Sequence, residues 1–138
     1  MGPVRILIVD GFEPWRRTVR SILAGDLSIK VVGECSNGLD CVRKADLLRP
    51  DLVLLDVQLE QMNGFMSAQQ IVKISPNTKI LFLCAHNSLR ELQEALGIGA
   101  GFILKERAKR ELLPAIRAVA QGRRVPESHH DSTDAIES

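Results

Sequence analysis

Four side chains that can do chemistry each lie at the end of a short apolar segment of this 138-residue sequence. They are the carboxylates of Asp10 and Asp56, the thiol of Cys84 and the ammonium of Lys105. Taken singly, each has a plain structural explanation as a turn-forming aspartate, a core thiol or a surface lysine. Taken together they suit phosphoryl chemistry. One carboxylate can accept a phosphoryl group, a second can hold Mg²⁺, and an ammonium can bind phosphate oxygens.

The apolar segments that precede these residues predict buried β-strands. Their β-branched and leucyl residues run on without polar alternation, which is typical of parallel strands covered on both faces. The five predicted strands are Val4 to Val9, Ile29 to Cys35, Leu52 to Val57, Lys79 to Ala85 and Phe102 to Leu104. Open α/β sheets build their sites at the carboxyl ends of the strands. We therefore expect Asp10, Asp56, Cys84 and Lys105 to meet at one rim of the sheet.

The segments between the strands predict helices, because their apolar residues recur at helical spacing. The inward-facing sets, in chain order, are Phe12, Trp15, Val19, Ile22 and Leu23; Leu39, Val42, Ala45 and Leu48; Phe65, Ala68, Ile71 and Val72; Leu89, Leu92 and Leu96; and Leu112, Leu113, Ile116 and Val119. Pro114 is tolerated in the last helix if it lies in the first turn. The alternation predicts an α/β fold, a three-layer α/β/α sandwich around a parallel five-stranded sheet with right-handed crossovers.

The chain of 138 residues has a hydrophobic content of 45% and a net charge of +1. This length allows one folded domain with a hydrophobic core of its own. We assign residues 1–122 to the domain and residues 123–138, which are poor in apolar side chains, to a disordered tail. The balanced charge gives no attraction to nucleic acid or a membrane surface. The apolar runs are too short to span a bilayer and no signal peptide is present, which predicts a cytoplasmic protein. The three cysteines lack metal or disulfide spacing and are expected to be reduced core thiols.

Three motifs resemble the receiver domain of bacterial two-component response regulators. They are Val4–Asp10, Pro50–Asp56 continuing through Met62–Gly64, and Gly101–Lys105, and they follow one another in the order and spacing of that family. The resemblance covers about Val4 to Gly122. It implies a flavodoxin-like, doubly wound sheet with the strand order 2-1-3-4-5, the order of the chemotaxis receiver.

The resemblance also implies site roles. Asp56 would be the phosphoacceptor that takes a phosphoryl group from a histidine kinase or phosphotransfer protein, and Lys105 would pair with it and with its phosphate. Asp10, Asp56 and the backbone carbonyl of Gln58 would hold Mg²⁺. The pairing with Lys105 would favour an ionised Asp56 at neutral pH.

Two further positions match the switch residues of the family. Cys84 stands where the family has Ser or Thr, and Phe102 occupies the aromatic switch position. The fourth helix, the fourth strand and the last helix would form the output face. That face would bind an output protein, which the sequence does not identify, and it is a candidate surface for a homodimer.

The departures from the family pattern weaken the metal site. Gly11 replaces the second acidic residue, so Mg²⁺ binding is expected to be weak, with Glu13 as an alternative ligand. Replacing Gly11 by Asp would also lose any positive-φ freedom that Gly11 uses. Cys84 offers a larger and weaker donor than a hydroxyl. We expect it to be a partly buried thiol rather than a nucleophile.

Two functions from different classes remain. The first is a phosphorylatable switch, which retention of Asp56 and Lys105 favours. The second is a pseudo-receiver, a phosphorylation-independent protein-binding module, which the loss of the acidic partner and the hydroxyl favours. Neither hypothesis makes the chain an enzyme. A nucleotide-binding enzyme would need a glycine-rich loop after the first strand, where Gly11 stands alone. Since no helix-turn-helix pattern follows Gly122, we do not expect this chain to bind DNA.

Overall fold

A computed structural model describes residues 2–85, 93–94, 97–98 and 101–122. Strands and helices alternate along these residues, as the sequence predicts. In chain order they are β1 (Val4–Val9), α1 (Glu13–Leu23), β2 (Ile29–Cys35), α2 (Gly38–Leu48), β3 (Leu52–Leu55), α3 (Gly64–Ile74), β4 (Lys79–Cys84), β5 (Gly101–Leu104) and α4 (Ala108–Ala120), with a 3₁₀ turn at Lys105–Arg107 between β5 and α4.

The strands form one sheet in the order β2-β1-β3-β4-β5, and every pair is parallel. This confirms the predicted strand order. Val9 lies opposite both Cys35 and Leu55, and Cys84 lies opposite Leu104. The residues that follow these strand ends therefore leave the sheet at the same edge.

Two apolar clusters cover the two faces of the sheet and confirm the three-layer architecture. One lies under α2 and α3 and includes Val53, Leu55, Phe82, Ala45 and Ile71. The other lies under α1 and α4 and includes Ile8, Leu54, Leu81, Val19 and Leu112. Successive residues of β3 alternate between the clusters, so the strand is apolar at every position.

Several predicted boundaries and core positions are wrong. Phe12 precedes α1 and is 64% exposed, because the Asp10 carboxylate accepts its backbone N–H and the helix begins at Glu13. Leu39 and Val72 are also exposed at the edges of their helices. β3 ends at Leu55, two residues before the predicted end at Val57.

Pro114 lies in the interior of α4 rather than in its first turn. The α-helix begins at Ala108, directly after the 3₁₀ turn, so Pro114 is its seventh residue. A proline there cannot donate to the carbonyl of Arg110. The helix is held instead by its buried face, which includes Leu112, Ala115 and Ile116.

Two predicted segments cannot be compared with the structure. Leu89, Leu92 and Leu96 of the fourth predicted helix, and the tail at residues 123–138, lie outside the described residues. Within the described part of the chain, no helix combines the length and the apolar content needed to cross a membrane.

Candidate functional site

A crevice of about 490 Å³ opens at the carboxyl edge of the sheet. The predicted site residues Asp10, Gly11, Asp56, Gln58, Cys84 and Lys105 all line it. The aromatic residue Phe102 does not; it is buried in β5, opposite Phe82 of β4. The sequence therefore located the crevice, and the parallel register of the strands brings its residues together.

The Lys105 ammonium lies between two carboxylates. Its Nζ donates to Asp10 Oδ2 at 2.5 Å and lies 3.7 Å from Asp56 Oδ2. The side chains of Lys105, Asp10 and Asp56 are 19%, 4% and 13% exposed. Lys105 is therefore within salt-bridge reach of Asp56, as predicted, but its shorter contact is with Asp10.

The Asp10 carboxylate is occupied on both oxygens. Oδ1 accepts the backbone N–H of Phe12 at 2.8 Å, and Oδ2 accepts the Lys105 ammonium. The Asp10 carbonyl accepts the Arg16 guanidinium at 2.7 Å, which fixes the backbone beneath the crevice. Asp10 thus joins the end of β1 to the start of α1 and to the residue that follows β5.

The pKa of the Asp56 carboxyl is raised from 3.8 to about 6, chiefly by burial and secondly by the neighbouring Asp10 carboxylate. Lys105 and the backbone N–H groups of Gln58 and Val57 oppose this shift. Lys105 favours the ionised form of Asp56, as predicted, but burial of the carboxyl outweighs this effect and sets the direction of the pKa shift. With a pKa of about 6, Asp56 is still mainly ionised at neutral pH.

The loop that carries Asp56 turns tightly into α3. Val57 accepts the backbone N–H of Gly64 at 2.8 Å, and the Asn63 side chain caps the helix by accepting the Met66 N–H at 2.9 Å. A Cβ on Gly64 would lie 2.2 Å from the Asp56 carbonyl oxygen. Only glycine therefore fits, and the sequence could not show this close approach.

Gly11 has space for a side chain. Its φ lies outside the left-handed region, and a Cβ would meet only the Ser36 carbonyl oxygen, at 3.4 Å. An aspartate at position 11 would therefore lose no positive-φ freedom. Glu13, the alternative metal ligand of the sequence analysis, is not among the residues that line the crevice. Its carboxylate pairs instead with Arg17 at 2.8 Å and Arg20 at 3.8 Å.

The donor types in the crevice suit a divalent cation, since two carboxylates and a backbone carbonyl are oxygen ligands. Among the described residues, however, no group of three or more His, Cys, Asp or Glu side chains is placed to hold a metal ion. Lys105 also holds the Asp10 oxygen that a cation would need. The site fits Mg²⁺ with two carboxylates, in competition with the protein's own ammonium.

The cysteines are core residues. Cys84 is 1% exposed, which is more complete burial than predicted, and it forms part of the crevice wall. Cys35 at the end of β2 and Cys41 on α2 are both buried in the apolar cluster that α2 and α3 cover. Burial raises the pKa of Cys35 to about 11 and raises that of Cys41 as well, so both thiols stay protonated at neutral pH.

One residue of this neighbourhood is not predicted from the sequence as part of the site. The helical pattern predicts a core position on α1 for Trp15, but its ring also lies beneath the Lys105 ammonium, 5.2 Å from Nζ to the ring centroid. The two residues are 90 positions apart in the chain, and no local signal joins them.

Comparison with known proteins places this geometry in a family. The family profile of the response regulator receiver domain matches residues 6–117. The response regulator protein VraR of Staphylococcus aureus strain Mu3 is 34% identical over 123 residues, which are 88% of this chain and 59% of VraR. VraR of Staphylococcus saprophyticus is 35% identical over 116 residues, 83% of this chain and 56% of that protein. The chain thus spans between half and two thirds of the length of these relatives.

Solved structures agree with the sequence comparison. The signal receiver domain of the response regulator NarL from Mycobacterium tuberculosis superposes with a TM-score of 0.84 and 30% identity, over 89% of this chain and all of that one. The response regulator domain of Thermotoga maritima CheB gives a TM-score of 0.77 and 28% identity, over 83% of this chain and 94% of that one.

Proposed function

Because this chain belongs to the response regulator receiver domain family, we propose that Asp56 accepts a phosphoryl group and that its phosphorylation switches a protein-binding face. The proposed donor is a histidine kinase or a phosphotransfer protein of a two-component phosphorelay. The observation that carries the proposal is the convergence of Asp10, Asp56 and Lys105, with the ammonium 2.5 Å and 3.7 Å from the two carboxylates.

In the proposed reaction an Asp56 carboxylate oxygen attacks phosphorus. A new P–O bond forms, the bond from phosphorus to the donor breaks, and the leaving group keeps its electron pair. Backbone N–H groups of Val57 and Gln58 orient the carboxylate. Lys105, which reaches both carboxylates, would bind the phosphate oxygens as negative charge accumulates. The Lys105 ammonium is already in the crevice before the reaction, so little reorganisation of the site is needed.

Asp10, Asp56 and the Gln58 carbonyl are the residues that would hold Mg²⁺. When bound, the cation would neutralise negative charge on the phosphoryl group. Gly11 supplies no carboxylate, and the second oxygen of Asp10 already accepts Lys105. We therefore infer weak Mg²⁺ binding and slow phosphoryl uptake.

The change in partner affinity is proposed for the face that contains β4 and α4. Phe102 is buried in β5 and Cys84 at the end of β4, and the proposal gives these two residues the role of transmitting a change at Asp56 to that face. The partner would be an output protein or a second copy of the chain. Nucleic acid is not proposed as a partner, since the net charge is only +1.

The test is incubation with acetyl phosphate and Mg²⁺, followed by intact mass. We expect one phosphoryl group on the wild type and none on Asp56→Asn. Asp46→Asn is the matched control, because Asp46 is an exposed aspartate on α2 that pairs with Arg49, and it should label like the wild type. An equal adduct on Asp56→Asn would overturn the assignment of the acceptor.

The pseudo-receiver is the second candidate, and the Lys105–Asp10 bond together with Gly11 favours it. In that case the wild type would gain no phosphoryl group under conditions that label a receiver with two adjacent acidic residues. A pull-down partner would then bind wild type and Asp56→Asn equally.

A further inference from the structure

Trp15 is the single tryptophan of the chain, and it is half-buried in the first turn of α1. Its ring packs against the apolar cluster beneath α1 and α4. The Lys105 ammonium lies over the same ring, 5.2 Å from its centroid, which is within the range of a cation–π contact. Tryptophan has the most favourable ring for such a contact.

Asp10 holds both Trp15 and Lys105 in position. Its Oδ1 accepts the backbone N–H of Phe12, and the Phe12 carbonyl in turn accepts the backbone N–H of Trp15 at 3.0 Å. Its Oδ2 accepts the Lys105 ammonium. One carboxylate therefore fixes the turn that carries the indole and also holds the ammonium above it.

Lys105 has a long side chain with freedom to point elsewhere. It follows the edge strand β5, and its side chain is 19% exposed, so the side chain borders solvent as well as the crevice. A lysine side chain loses considerable rotamer entropy when it is fixed. The indole removes part of the space into which the ammonium could turn, and it attracts the charge.

From this geometry we propose that Trp15 is a positioning residue, whose ring holds the Lys105 ammonium at the two carboxylates of the crevice. The proposal deepens the proposed function and rests on it where it concerns phosphoryl uptake. Trp15 does not touch the reacting atoms. It acts through Lys105, so its effect should vanish when Lys105 has no charge.

The first experiment measures the rate of phosphoryl uptake from acetyl phosphate by intact mass. Trp15→Leu keeps an apolar side chain without a π face and should be slower by roughly twofold to tenfold. Trp15→Phe keeps an aromatic face and should recover part of the rate. In a Lys105→Met background, exchanging Trp15 for Leu should change the rate no further.

A purely structural role for Trp15 predicts a different result. Trp15→Leu would then slow uptake by the same factor in both backgrounds, and that outcome would overturn the proposal. If Lys105→Met takes up too little phosphoryl group to measure, the same cycle is read from urea midpoints by circular dichroism. Additive midpoint shifts would then count against the proposal, and a coupling between the two substitutions would support it.

The second experiment does not depend on phosphorylation. Trp15 emission should change in Lys105→Met and stay unchanged in Lys109→Met, a matched control at an exposed lysine in the first turn of α4. Identical emission in wild type and Lys105→Met would sink the proposed contact. A wild type that takes up no phosphoryl group, but shows the emission change, would overturn the proposed function and leave the positioning contact standing.

Discussion

At the scale of single residues, the site is organised by competition for Asp10. Lys105 donates to Asp10 at 2.5 Å and lies farther from Asp56, at 3.7 Å. A cation that binds the crevice must displace the ammonium from Asp10 or share that carboxylate with it. Among the described residues no third carboxylate is placed to join Asp10 and Asp56 around a cation, and Gly11 supplies none. We therefore propose that position 11 limits the affinity of the site for Mg²⁺.

Gly11→Asp should tighten Mg²⁺ binding by roughly tenfold or more and speed the adduct at Asp56. Without metal, the added negative charge beside Asp10 should lower the free energy of unfolding by on the order of 1 kcal/mol. A Mg²⁺ titration read by Trp15 fluorescence, and intact mass after acetyl phosphate, measure both effects. The backbone should not oppose the change, since Gly11 has an ordinary φ.

Gly25→Asp is the matched control, because a side chain there would meet nothing within 4 Å. It adds the same charge at the far end of α1 and should leave Mg²⁺ affinity unchanged. If the wild type binds Mg²⁺ as tightly as Gly11→Asp, another ligand has replaced the missing aspartate, and this account of Gly11 is wrong.

At the scale of elements, the loops and helix ends that surround the crevice differ in how much change they tolerate. The loop between β3 and α3 is tightly packed, because Gly64 lies against the backbone of the acceptor and Gln61 adopts a left-handed φ of 68°. The turn between β1 and α1 is open at Gly11. In α4, Pro114 interrupts the hydrogen bonding of an otherwise continuous helix.

Gly64→Ala should destabilise the domain by on the order of 1 to 3 kcal/mol and slow phosphoryl uptake. The new methyl group would lie 2.2 Å from the Asp56 carbonyl, so the acceptor loop must shift. Gly11→Ala is the control and should change stability by less than about 1 kcal/mol. Urea unfolding followed by circular dichroism compares them. A Gly64→Ala variant as stable as Gly11→Ala would contradict the close packing.

Pro114→Ala should stabilise the domain by on the order of 1 to 3 kcal/mol, because alanine restores the N–H that can donate to the Arg110 carbonyl. Pro114 is exposed, so little buried surface is lost. Lys109→Ala, an exposed substitution in the same helix, should change stability by no more than about 0.5 kcal/mol. A fall in the urea midpoint of Pro114→Ala would show that the proline is needed for the shape of α4.

At the scale of the whole molecule, the site costs stability. Asp56 is buried at the edge of a sheet whose central strands are covered on both faces, beside a second carboxylate. Its pKa is about 6 in the folded state and close to 3.8 in the unfolded chain. The folded protein therefore binds this proton more tightly than the unfolded chain does.

The sign of the pH effect follows from this difference. The stabilisation that comes from tighter proton binding at Asp56 in the folded state is fully present below pH 3.8. It is lost as the pH rises through about 6. Asp56→Asn cannot ionise, so its advantage over the wild type should be small near pH 4 and reach on the order of 2 to 3 kcal/mol above pH 7. Urea unfolding of both proteins at several pH values measures the difference. A constant advantage across this range would show that the Asp56 pKa is not raised.

The sequence determined the architecture and the position of the site. Unbroken apolar runs identify buried parallel strands, and helical spacing identifies the segments between them. In a parallel sheet every carboxyl end lies on the same side, so Asp10, Asp56, Cys84 and Lys105 had to meet at one rim. These conclusions depend on periodicity and direction along the chain, both of which are local properties of the sequence. Helix ends are predicted less accurately from the sequence than strands are, as Phe12 and Pro114 show. Capping contacts and the 3₁₀ turn determine where each helix begins.

Only the tertiary structure decided how the site residues are paired. Lys105 binds Asp10 more closely than Asp56, the ring of Trp15 lies beneath its ammonium, and burial rather than that ammonium sets the Asp56 pKa. The same is true of Glu13, whose carboxylate turns to arginines instead of the crevice. Each of these outcomes depends on differences of an ångström or two between side chains, several of them far apart in the chain. Electrostatic energies change steeply over such distances, whereas the hydrophobic pattern that defines the fold does not record them.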